Sequence, residues 1–160
     1  MNLNQFTQKS VEALQAAQSI ARENRHQTLE QVHLLLALLK QENGLTSQLL
    51  RKMDITVESL EAAAQQELRK IPGVSGSVDA DRFYISADCD NALNAAQTQA
   101  NAMKDEFVSV EHLMLGLLET AAGCVKELFG LYRITKEGFL QALQSVRGNQ
   151  RVTSDNPEGT

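Results

Sequence analysis

The sequence predicts an all-α fold of eight helices, arranged as two pseudo-two-fold related four-helix repeats. Three observations carry this. Hydrophobic residues make up 42% of the 160 positions, while aromatics make up 4%, Trp is absent and there are two prolines. Such a core must be built from Leu, Ala, Ile and Val, a mixture that favours helices. Second, the chain matches itself at an offset of 79. Ala13 to Gln18 pairs with Ala92 to Gln97, His33 to Leu39 with His112 to Leu118, Gly44 with Gly123, and Ile55 to Glu58 with Ile134 to Glu137, all without a gap. A fixed period of this kind marks a duplicated structural unit. Third, the same helix-start signals occur twice.

The first helix of each half is expected from Thr7 to Glu23 and from Ser86 to Met103. Val11, Leu14, Ala17 and Ala21 share one face, matched by Ala92, Leu93, Ala96 and Ala100. Thr7 and Ser86 suit an N-cap, where a hydroxyl accepts from a free backbone N–H. Second helices over Val32 to Leu39 and Val110 to Leu118 are apolar all round and must be buried. Thr28-x-x-Gln31 has the form of a capping box for the former, and Ser109 caps the latter. Third helices are short, Leu45 to Met53 and Cys124 to Leu131. Fourth helices start at Thr56 and Thr135, where Ile55 with Leu60 and Ile134 with Phe139 form hydrophobic staples. Repeat one therefore covers about 4–70 and repeat two about 85–147. A Pro-, Gly- and Ser-bearing linker covers about 71–84. The polar segment 148–160 has nothing to bury and is expected to be mobile, a tether toward something beyond it.

Several function classes are excluded by composition. Net charge is −5 and basic residues are scattered, so nucleic-acid binding is not expected. No apolar run approaches a membrane span. The first 20 residues lack the apolar stretch of a signal peptide, which points to a cytoplasmic protein. Cys89 and Cys124 show no CxxC or zinc spacing and read as reduced, buried small hydrophobes. There is no GxxxxGK[ST], HExxH or GxSxG, so no nucleotide, metalloprotease or serine-hydrolase site is indicated. His33 and His112 occupy equivalent places before Leu-rich runs. They are expected to cap or orient buried helices rather than to share a metal. The most informative stretch is Asp105-Glu106-Phe107-Val108-Ser109-Val110-Glu111-His112. Its acids suit a helix N-terminus, where the macrodipole favours negative charge. They could also receive Lys or Arg of a partner.

Taken together, Phe6-Thr7-x-Lys9 through Ala13-Leu14 to Ala17-Gln18, the run His33 to Leu39, and Phe107-Val-Ser-Val-Glu-His-Leu113 resemble the Clp N-terminal repeat domain. The resemblance covers about residues 1–147 and is nearest to the disaggregase type. Protease-coupled relatives tend to carry Glu-His at both helix starts, whereas here Glu111-His112 is matched by Val32-His33. The departure removes the basis for a symmetric pair of acidic pockets and for phosphoarginine-type recognition. The resemblance implies an accessory domain, not itself an enzyme, at the front of a hexameric ATP-driven remodelling machine. ATP and Mg would belong to modules outside this chain, which itself needs no cofactor and no metal. It implies that unfolded or aggregated polypeptide binds in an apolar groove, with Thr7, Leu93, Asp105, Phe107, Val110 and Glu111 near that surface. Rim acids would favour clients with Lys or Arg beside an apolar segment. Adaptor or co-chaperone proteins are possible partners, and the alternative is an adaptor-docking domain of a protease-coupled unfoldase. The isolated domain is expected to be monomeric.

Overall fold

In the computed structural model, residues 3–75, 84–148 and 151–155 are described. The central part of the expected linker, 76–83, and residues 156–160 lie outside them. After a 3-10 turn at Leu3–Gln5 come α1 (Gln8–Glu23), β1 (Thr28–Leu29), α2 (Gln31–Lys40), α3 (Leu45–Lys52) and α4 (Val57–Arg69). The second half repeats the order: β2 (Tyr84–Ile85), α5 (Ala87–Ala102), α6 (Val110–Thr120), α7 (Gly123–Leu131) and α8 (Lys136–Arg147). Thr7 and Ser86 cap α1 and α5 as their sequence signals require, accepting from the N–H groups of Ser10 and Cys89. α2 and α6 are the central helices. Every residue from Gln31 to Leu39 and from Val110 to Leu117 is buried.

Helix ends also repeat at the offset of 79. α1 and α5 each close on a left-handed residue, Arg25 and Lys104, both at φ 60°. The N–H of the next residue then reaches back five positions, His26 to the Ala21 carbonyl and Asp105 to the Ala100 carbonyl. This Schellman closure satisfies the last carbonyls of the helix and turns the chain sharply. It delivers the side chains of residues 26 and 105 beneath the starts of α2 and α6.

Two features differ from expectation at the start of α2. Thr28 is not the cap: residues 28 and 29 form β1, which pairs in parallel with Tyr84 and Ile85. The same pairing recurs in reduced form as a parallel bridge between Phe6 and Val108. Each half thus lays its entry segment against the other half, one link between the lobes. With residues 28 and 29 extended, the cap moves to Glu30, and His33 replaces the Glu or Gln of an ordinary capping box. Cys89 is buried as expected, and burial, then the nearby Glu30 and Asp90 charges, pushes its thiol up to about 12. Cys124 is only half-buried, because α7 is short and its first turn borders a cavity.

The segment after α8 departs most from expectation. Val152 is 5% exposed. Its N–H donates to Asp105 at 2.8 Å and its carbonyl accepts from the Glu106 N–H at 2.8 Å. The Asp155 carbonyl accepts from the Gln8 N–H at 2.7 Å, satisfying one of the free donors at the start of α1. Polar composition conceals one buriable residue, and the backbone supplies the rest. Burying a Val side chain contributes about 1.5–3 kcal/mol. Ordering each residue costs roughly 1–2 kcal/mol, so the docked state of 151–155 is finely balanced. Among the described residues no helix is long and apolar enough to cross a membrane.

Candidate functional site

His33 and His112 hold the same place. Nδ1 of each accepts from the N–H of its helix cap, Glu30 at 2.8 Å and Ser109 at 2.9 Å. With Nδ1 accepting, the neutral ring carries its proton on Nε2. That proton faces position 26 or 105. In repeat one His33 Nε2 lies 2.9 Å from His26 Nδ1, and His26 Nε2 lies 3.1 Å from the Ile71 carbonyl, a chain of neutral donors and acceptors. In repeat two His112 Nε2 donates to Asp105 at 2.7 Å. Both ring nitrogens of each histidine are therefore engaged in orienting a helix start.

From this common frame the two halves diverge in charge. Asp105, Glu111 and Arg147 stand where repeat one has His26, Val32 and Leu68. Arg147 pairs with Asp105 and lies 4.0 Å from Glu111, and Ser109 donates its hydroxyl to Glu111. Burial alone would raise the Asp105 carboxyl. Hydrogen bonds from Arg147, the Val152 N–H and His112 outweigh it and hold the group below its ordinary range. Burial also holds His112 below the usual imidazole value, against the opposing pull of Glu111 and Asp105.

Beside this cluster opens a cavity of about 360 Å³. Lys9, Leu45, Val110, Glu111, Val146 and Val152 are among its walls. Its repeat mate is a smaller cavity of about 190 Å³ that includes Gln31, Val32, Asp88, Gly123 and Cys124. Those residues match Val110, Glu111, Lys9, Gly44 and Leu45 at the same offset. The two hollows are thus duplicates that differ at one buried wall position, which is Glu111 in the larger and Val32 in the smaller, where Glu30 and Asp88 are the acids instead.

Of the six residues singled out from sequence, Val110 and Glu111 line the larger cavity. Asp105 joins Glu111 through Arg147. Thr7 is buried as the α1 cap, its N–H bound to the Val108 carbonyl. Leu93 is buried in the core on α5, and Phe107 is half-buried in the turn before α6. The expected exposed acidic rim is not found, since Asp105 and Glu111 are 6% and 5% exposed. They form a buried floor, because the Schellman turn and the cap of α6 aim them inward. Lys9, Glu42 and Arg151 border the opening instead. Arg147, Arg151 and Val152 were not identified from sequence. Arg147 left a signal: at the offset of 79 it replaces Leu68, a charge where the mate has a core residue.

Burial of His33 has a consequence in acid. His33 is fully buried, and desolvation, then the neighbouring His26, pushes it down to about 4. The unfolded chain takes up that proton first, near the ordinary value of 6.5. The stabilising contribution is therefore complete above about pH 6.5 and is lost as pH falls toward 4. Between pH 7.5 and 5 we expect about 2 kcal/mol of stability to be lost through this group. His112 adds in the same direction. Urea melts at both pH values should show a smaller loss for His33→Gln than for the wild type. An unchanged difference would mean that His33 is charged or exposed when folded.

The fold is thus a duplicated helical unit with a buried charge cluster beside an open hollow. The comparisons place it. The description "Clp repeat (R) N-terminal domain" matches residues 5–131, and the chain belongs to that family. The chaperone protein ClpB of Bacillus cereus is 42% identical over 161 residues, covering all of this chain and 18% of that protein. That of Clostridium tetani is 36% identical over 161 residues, with 19% of the relative covered. The chain thus spans under a fifth of the length of these relatives. In fold it is similar to the Hsp104 N-terminal domain from Candida albicans, at TM-score 0.82 and 22% identity, covering 94% of this chain and 96% of that one. It is also similar to the N-terminal domain of the ClpV1 ATPase from E. coli, at TM-score 0.75 and 22% identity, covering 98% and 92%.

Proposed function

We propose that this chain is the substrate-binding accessory domain of an ATP-dependent protein disaggregase. It engages unfolded or aggregated polypeptide at the larger cavity and is not itself an enzyme. The single observation that supports this best is the asymmetry of the duplicated hollows. Only the larger one keeps Glu111, with Asp105 and Arg147 behind it, beside Leu45, Val110, Leu143 and Val146. Apolar walls accept varied side chains because burial is not sequence-specific. The charge cluster gives register, with two acids against one Arg favouring a client cation next to the apolar contact. Weak single-site affinity would be raised by several domains acting together in a hexameric parent. The ATPase and pore belong to that parent.

The test is titration of the labelled chain with a permanently unfolded polypeptide, reduced carboxymethylated α-lactalbumin, followed by NMR. We expect shifts in the Thr7, Asp105–Glu111 and Val146 regions, weakened several-fold by raised salt. Shifts confined to other faces, or none, would refute the reading. Binding of one folded adaptor and of no unfolded chain would favour the docking-domain alternative.

A further inference from the structure

We propose that residues 151–155 are an internal pseudo-client: a strap lying on the candidate binding site, which an extended segment of similar chemistry must displace. The inference rests on the client-binding reading above. Thr7, Asp105, Val110 and Glu111 are all buried. The strap contributes directly to closing that region. Its Asp155 carbonyl bonds Gln8, the residue after Thr7. Its Val152 N–H bonds the Asp105 carboxylate, and its Val152 carbonyl bonds the N–H of Glu106. Arg151 and Val152 themselves line the larger cavity beside Glu111.

The chemistry of the strap is that of the expected ligand. A basic residue is followed by a β-branched apolar one, and the backbone is held by bonds that any extended peptide can make. Arg151 donates to the Met103 carbonyl at 2.8 Å, and Val152 fills the apolar wall. When the strap leaves, Arg151 leaves with it, and the charge beside Glu111 becomes more negative. The vacated site then calls for a cation next to an apolar side chain. Repeat one shows what a permanently seated counterpart looks like. In its post-helix segment the Val74 N–H donates to the Arg25 carbonyl, the Val74 carbonyl accepts from the Arg25 guanidinium Nε, and the Ile71 carbonyl accepts from His26, with no carboxylate involved. The strap is instead hung on a carboxylate, for which a client cation competes.

The experiment uses the whole chain and Val152→Asp, which places a charge in the buried position. A fluorescent peptide of residues 150–155 is titrated into both. Binding at least tenfold tighter to the variant than to the wild type is expected, with loss of binding when the peptide's own Arg151 is replaced by Glu. Equal binding to both proteins, or binding to neither, overturns the strap. Unfolded α-lactalbumin is then titrated in parallel. Peptide binding without lactalbumin binding keeps the strap and sinks the client reading. Tighter lactalbumin binding by the variant supports both. If Val152→Asp fails to fold, the wild type gives the answer by NMR. Saturating lactalbumin should move the amide resonances of Val152 to Asp155 to random-coil positions. Resonances that stay in place while the client is bound overturn the proposal.

Discussion

Gly116→Ala is expected to destabilise the domain by about 3 kcal/mol or more, and to leave it largely unfolded if its reserve is small. Helix propensity alone gives the opposite sign, since Ala is favoured over Gly inside a helix by roughly 0.5–1 kcal/mol. Packing decides. A Cβ on Gly116 would lie 2.2 Å from the Ala92 carbonyl oxygen and 2.9 Å from the Ala96 nitrogen. Both are backbone atoms of α5, so no side chain can swing aside, and the two helices must separate. Separation opens the contacts around Leu113, Leu117 and Leu93, all buried. Repeat one provides the control. Its matching residue is Ala37, buried on α2, so the corresponding helix pair already accommodates a Cβ. Denaturant melts of Gly116→Ala and Ala37→Gly check this. The former should lose several times more than the latter. A change within about 0.5 kcal/mol for Gly116→Ala, as at an ordinary surface site, would mean that α5 and α6 are not in backbone contact.

The same pair explains how much of the molecule was legible in sequence. The offset of 79, the Thr7 and Ser86 caps, and the buried α2 and α6 follow from residue type and period, because periodicity reports burial directly. His33 and His112 were legible as helix-start residues because their spacing to the Leu runs is identical. The Gly116 contact was not, since Gly opposite Ala37 reads as a neutral exchange until the distance between helices is known. The pairing of β1 with β2 was also hidden. Two-residue strands have no period, and Thr28 near a helix start resembles a cap. Asp105 and Glu111 were singled out, but with the wrong exposure. Acids near a helix N-terminus read as solvated, and only the Schellman turn at Lys104 shows that Asp105 points inward. Val152 was missed because one apolar residue in a polar segment carries no pattern.

Arg147→Ala is expected to cost about 3–5 kcal/mol, the range for removing one partner of a buried ion pair. The side chains of Asp105 and Glu111 are 0% and 6% exposed, and that of Arg147 is 10% exposed. Without the guanidinium, two carboxylates share a poorly solvated site. Asp105 keeps the His112 and Val152 donors but loses its counter-charge. Part of the loss should be recoverable in acid, where protonation relieves the repulsion, so the variant should lose less than the wild type does on going from pH 7 toward 5. The repeat indicates how to abolish the defect altogether. At the same three places repeat one carries His26, Val32 and Leu68, with no formal charge and both His26 nitrogens hydrogen-bonded. The triple change Asp105→His, Glu111→Val, Arg147→Leu should therefore recover most of the stability that Arg147→Ala loses, since replacing a buried ionic group by packed apolar residues is often neutral or better. What the triple variant gives up is the carboxylate that holds the Val152 N–H. Its segment 151–155 should show faster amide exchange while the helices remain protected, and its affinity for unfolded polypeptide should fall. Melts of the single and triple variants, with exchange measured at Val152, decide it. A triple variant as unstable as Arg147→Ala would mean that the ionic cluster is required for folding of the second repeat, and that charge is what distinguishes the two lobes structurally rather than functionally.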